Sequence, residues 1–129
     1  MPKSRQILLV VSMILALPLS AYAQASIAGV VKDASGAVLP GVTVEATSPV
    51  LIEKARTAVT DGEGRARDFT GTLLSGSYRV RFDVAAYFRE SDRECFYDEV
   101  VVSIRIDGTG HYHVPLLLSP FGYTTYRGS

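Results

Sequence analysis

The sequence predicts an all-β fold, an antiparallel β-sandwich with one short helix. Short runs of alternating apolar and polar residues recur at regular spacing from Ser26 onward, about seven of them. Turns rich in Gly, Asp or Ser close most of them. No internal repeat, heptad pattern or low-complexity tract competes with that reading.

The elements follow in order. Ser26–Asp33 is a first strand, closed by Ala34-Ser35-Gly36. Gly41–Thr47 alternates Val42, Val44 and Ala46 against Thr43, Glu45 and Thr47, and Pro49 ends it. A third strand over Arg56–Thr60 leads into the turn Asp61-Gly62-Glu63-Gly64. Ser77–Val84 is the clearest strand, with Tyr78, Val80, Phe82 and Val84 on one face and Arg79, Arg81 and Asp83 on the other. Ala85–Glu94 breaks the alternation, and a short helix is expected there. Glu99–Ile106 alternates again, with Val100, Val102, Ile104 and Ile106 expected inward. Asp107–Gly110 turns the chain into a strand over His111–Ser119, and a last extended piece covers Gly122–Arg127.

The first 23 residues read as an export signal. Lys3 and Arg5 form a basic start, Ile7–Leu19 is apolar but for Ser12, and Ala21-Tyr22-Ala23 is a small-x-small cleavage pattern. The apolar run is shorter than the roughly 20 residues a membrane span needs. Cleavage is expected after Ala23, with Ala25 as the second choice, so the mature chain is periplasmic or secreted and has no membrane anchor. Residues 24–129 then form one small domain. Without Lys3 and Arg5 it carries 11 basic and 13 acidic side chains. Nothing in that balance suggests nucleic acid or an anionic membrane surface. Cys95 has no cysteine to pair with and reads as a packed apolar side chain. One Cys and two His cannot supply a zinc or iron–sulfur ligand set.

The last nineteen residues, HYHVPLLLSPFGYTTYRGS, are the most informative. The two histidines of the chain, His111 and His113, stand two apart, so on a strand they share a face. Pro115 cannot donate to a strand ladder, which suggests an edge or a bulge there. This segment closely resembles the C-terminal signature of the 5-hydroxyisourate hydrolases, enzymatic relatives of transthyretin. Ala86–Phe88, Glu94–Ile106 and the turn VTDGEGR resemble that family too, about half of the mature chain in all. The N-terminal run SIAGVVKDASGAVLPGVTVEATS resembles instead the carboxypeptidase regulatory-like module, a prealbumin-type sandwich without chemistry of its own.

The hydrolase resemblance implies a transthyretin/prealbumin-like sandwich that opens a cyclic amide of 5-hydroxyisourate with water. The product is 2-oxo-4-hydroxy-4-carboxy-5-ureidoimidazoline, in urate degradation. Such a reaction needs a base to take a proton from water and a cation or donor to hold the oxyanion. Histidine suits the first role and arginine the second. By resemblance, the second histidine of HYH is catalytic, which is His113, with His111 the weaker candidate. The family arginine follows a turn ending in Asp-Gly-Arg, which maps to Arg65, catalytic and substrate-binding, with Arg67 the runner-up. The terminal Tyr126-Arg127-Gly128-Ser129 is implied to enter the active-site channel, with Tyr126 and Arg127 at the substrate and Ser129 near the reacting water. The resemblance also implies a homotetramer with sites between dimers, and no metal or organic cofactor.

One departure stands out. The family carries a first histidine in a Thr-His-Val-Leu-Asp-like motif on the first strand. Counting without gaps from Gly36 and Gly41 puts Gly29 at that position. Two further classes therefore stay open, a non-catalytic module like the carboxypeptidase regulatory domain and a transthyretin-like small-ligand carrier.

Overall fold

The computed structural model describes residues 25–51 and 55–128. The signal segment and Ser129 lie outside the described residues. Among the described residues, eight strands and one helix follow one another: β1 (Ala25–Asp33), β2 (Thr43–Thr47), β3 (Arg56–Val59), β4 (Arg65–Ala66), β5 (Gly76–Phe82), α1 (Val84–Glu90), β6 (Val100–Ile106), β7 (Gly110–Ser119) and β8 (Gly122–Thr125). They form two four-stranded sheets, ordered β4-β1-β7-β8 and β3-β2-β5-β6.

The alternating residues close the core between the sheets. Val42, Val44, Ala46, Tyr78, Val80 and Phe82 are buried on one side, and Ile27, Val31, Val114, Leu116 and Leu118 on the other. Tyr78 keeps its hydroxyl satisfied by donating to the Leu74 carbonyl at 2.6 Å. Val84 and Phe88 sit four apart in α1 and bury its inner stripe. The Asp83 carboxylate caps the helix, accepting from the Ala86 amide at 3.4 Å. Cys95 packs half-buried against the core, as an apolar side chain would.

The structure departs from the sequence reading in three places. The β1–β7 pair is parallel, in register from Ala25 opposite Gly110 to Asp33 opposite Leu118, while the other pairs are antiparallel. β4 has only two residues, too few to show an alternation. Val102 and Ile104 are half-buried rather than enclosed, because β6 is the edge strand of its sheet and borders an open cavity.

Pro115 is a fourth correction. Its strand is no edge: β7 lies between β1 and β8. The missing amide acts on the other side of the strand. The β7–β8 ladder stops at Leu116 opposite Thr125 and resumes at a single bridge between His113 and Gly128. Pro115 has no N–H to offer in between, and its carbonyl accepts from the Thr125 hydroxyl at 2.8 Å instead. Tyr126 and Arg127 thus leave the ladder while the chain returns to His113.

Candidate active site

Two residues fix where Arg65 stands. Asp61 accepts from the amides of Glu63 at 2.8 Å and Arg65 at 3.1 Å, closing the turn before β4. Gly64 has φ +74°, and a Cβ there would lie 2.6 Å from the Val31 carbonyl oxygen. Only glycine permits that approach, which also lets the Val31 amide donate to the Gly64 carbonyl at 2.7 Å. β4 is thereby laid along β1 with Arg65 opposite Val30.

The outer face of this sheet collects the polar groups. Ala66, opposite Gly29, is buried in the core, so Arg65 and Val30 point outward. His113 is opposite Ala28 and Pro115 opposite Val30, so they share that outward face with Lys32. The His113 imidazole is held below its ordinary pKa near 6.5, first by burial and then by the positive charges of Arg65 and Lys32. At neutral pH it is therefore an uncharged base.

The tail closes on that base. The Gly128 amide donates to the His113 carbonyl at 2.9 Å. A Cβ on Gly128 would overlap the imidazole, falling 2.9 Å from its Cγ and closer still to Nδ1. Gly128 is thus a site residue that sequence reasoning matched only as part of a motif; its signal is the contact with the ring. Arg127 lies with its guanidinium carbon 5.0 Å from the Tyr112 ring centroid. Tyr126, Arg127 and His113 border a cavity of about 270 Å³ between β6 and β7.

The other candidates separate cleanly. Arg67 is ion-paired to Glu63 at 2.6 Å and to Asp61 at 3.9 Å, while Arg65 lies 3.8 Å from Glu63 and its charge lowers the His113 pKa. His111 is exposed, its Nδ1 2.6 Å from the Ser26 hydroxyl and 3.3 Å from Asp68. Ser26 and Asp68 share one ring nitrogen, so this trio lacks the two-sided relay that activates a serine nucleophile. It ties the start of β7 to β1. Ser129 lies outside the described residues.

Residues 28–128 match the HIUase/Transthyretin family. The chain belongs to that family. The match takes in the N-terminal strands as well as the histidine strand. A probable 5-hydroxyisourate hydrolase of Schizosaccharomyces pombe is 45% identical over 76 residues, 57% of this chain and 61% of the relative, so the aligned part spans about three fifths of that protein. A probable 5-hydroxyisourate hydrolase of Caenorhabditis elegans is 40% identical over 115 residues, covering 81% of this chain and 82% of the relative. Among solved structures, the Klebsiella pneumoniae 5-hydroxyisourate hydrolase superposes with a TM-score of 0.72 at 31% identity, over 84% of this chain and 97% of that one.

The faces of β1 bear on the first-strand histidine that the resemblance implies. Gly29 points inward: a Cβ there would meet the Phe82 ring at 3.7 Å. A histidine at Gly29 would enter the core and never face His113. Counting back from Asp33 in the Thr-His-Val-Leu-Asp pattern selects Val30 instead, which lies on the outer face between Arg65 and Pro115. The two counts differ by one residue, which falls in the tight turn where Asp33 accepts from the Ser35 and Ala37 amides. Gly29→His is therefore expected to destabilise the fold by about 3 kcal/mol through overpacking and a buried polar ring. Val30→His is expected to cost much less. Chemical denaturation of both variants checks the assignment; equal losses would contradict it.

Proposed function

We propose that this protein is a 5-hydroxyisourate hydrolase that uses His113 as general base. The observation that carries this reading is a desolvated, uncharged imidazole that feels the charge of Arg65, packs against Gly128 and borders one cavity with Tyr126 and Arg127. His113 takes a proton from water as the oxygen adds to the ring amide carbon. Arg65 stabilises the oxyanion that forms. The carbon–nitrogen bond then breaks, the proton passes from His113 to the leaving ring nitrogen, and the new carboxyl group ionises. Tyr126 and Arg127 flank the substrate; for Ser129, outside the described residues, a role at the attacking water rests on the resemblance alone.

The active assembly we infer is a homotetramer. β6 and β8 are free sheet edges, and Phe96, Phe121 and Tyr123 are exposed large apolar residues. Edge-to-edge pairing would cover them. The basic start, apolar run and Ala21-Tyr22-Ala23 pattern support export to the periplasm or beyond, with Ala23 the preferred cut. Ala25 is buried at the start of β1, where its carbonyl accepts from the Leu73 amide at 2.7 Å, so a cut after Ala25 would remove a structural residue.

A pH–rate profile tests the base. Protonation of His113 removes activity, and burial, Arg65 and Lys32 all lower its pKa. The kcat/KM value is expected to be flat at neutral pH and to fall tenfold per unit only below pH 6.5. An acid limb centred above pH 6.5 would contradict the assignment.

A further inference from the structure

The loss of the first histidine coincides with a second change in the same motif. Where the family pattern reads Thr-His-Val-Leu-Asp, this chain has Gly29-Val30-Val31-Lys32-Asp33. Counted from Asp33, Val30 stands where that pattern has its histidine, and two residues later Lys32 stands where it has leucine. Residues two apart on a strand share a face, so an imidazole is lost and an ammonium gained on one surface.

The register places that ammonium relative to the chemistry. Lys32 is opposite Leu117, Val30 opposite Pro115, and Ala28 opposite His113. From Lys32 back to the His113 level is four residues, about 13 Å along the strand. Between them Val30 and Pro115 are buried and form an apolar floor. Arg65 borders that floor from β4. The arrangement is an apolar strip with His113 at one end, Lys32 at the other and Arg65 at its side, a pattern suited to a small, planar, oxygen-rich anion.

Lys32 is half-buried, and no ion pair holds it among the described residues. The carboxylate beside it in sequence, Asp33, is occupied by Ser35 and Ala37. A lysine held without a counter-charge on such a strip is a binding group for an anion.

Resting on the hydrolase reading, we propose that Lys32 binds the substrate's anionic oxygens, and the carboxylate formed on ring opening, in place of the missing first-strand histidine. Lys32 then touches substrate and sets specificity for an anionic ring, while His113 remains the base. Its charge also reaches His113, whose imidazole it helps to keep neutral.

The experiment compares Lys32→Met and Lys32→Arg with the parent, using hydroxyisourate decay, titration with urate as the stable anionic parent ring, and the His113 pKa by NMR. Lys32→Met is expected to lower kcat/KM and urate affinity at least tenfold, to raise the His113 pKa, and to leave the melting temperature near the parent's. Lys32→Arg is expected to retain most of both. An active Lys32→Met variant with unchanged kcat/KM and urate binding would overturn the proposal and leave the hydrolase reading standing. A parent that binds urate through Lys32 without hastening decay would overturn the hydrolase reading and keep Lys32 as the anion site. A parent that does neither overturns both.

Discussion

Replacing His113 with alanine is expected to lower kcat/KM by at least a thousandfold, about 4 kcal/mol of transition-state stabilisation, with the fold intact. The ring lies on the outer face of β7, half-buried, and contributes nothing to the Val114, Leu116 and Leu118 side of the core. Its loss removes the base and leaves the charges of Arg65 and Lys32 in place. Single-turnover decay of the substrate together with a thermal melt checks this. A variant at the parent rate would place the chemistry elsewhere, and a variant that fails to fold would be replaced by His113→Gln, which keeps volume and polarity without basicity.

Ending the chain at Tyr126 is expected to have the second largest effect, a loss of at least a hundredfold with little change in stability. Gly128 is the only described residue that both packs against the His113 ring and bonds its carbonyl. Removing it opens the imidazole to water, which relieves the desolvation that keeps it neutral. Gly128→Val is the companion: its side chain has no room beside the ring, so the ring or the tail must move. Full activity in the truncated protein would remove the tail from the site. A C-terminal tag is expected to act in the same direction as truncation.

Much of the fold was legible because alternation reports burial directly. Val42, Val44 and Ala46 alternate in sequence and are fully buried in the structure, and Tyr78, Val80 and Phe82 repeat the pattern. Pairing direction was not legible, since a strand buried on one face alternates alike in parallel and antiparallel sheets. β1 and β7 meet across more than eighty residues, and no local turn sets their direction. β4 was missed because two residues carry no period.

The site was legible in its types and not in its faces. His113 and the tail were read from a motif, and the structure brings them into contact. The two counts for the first-strand position differ by one residue because counting from Gly36 crosses a turn, where length varies, while counting from Asp33 stays on the strand. In a strand one residue is a change of face, and that separates Gly29 against Phe82 from Val30 beside Arg65. Lys32 drew no notice for the same reason: a lone lysine in a first strand means little until the register sets it on the strip with His113.

The most direct test of the central claim is the decay of 5-hydroxyisourate in the presence of residues 24–129 with a free C-terminus, measured against the spontaneous rate. The account predicts acceleration in proportion to protein that vanishes in His113→Ala. A folded protein that leaves decay at the spontaneous rate would contradict it and return the chain to the non-catalytic binding modules that share its sandwich.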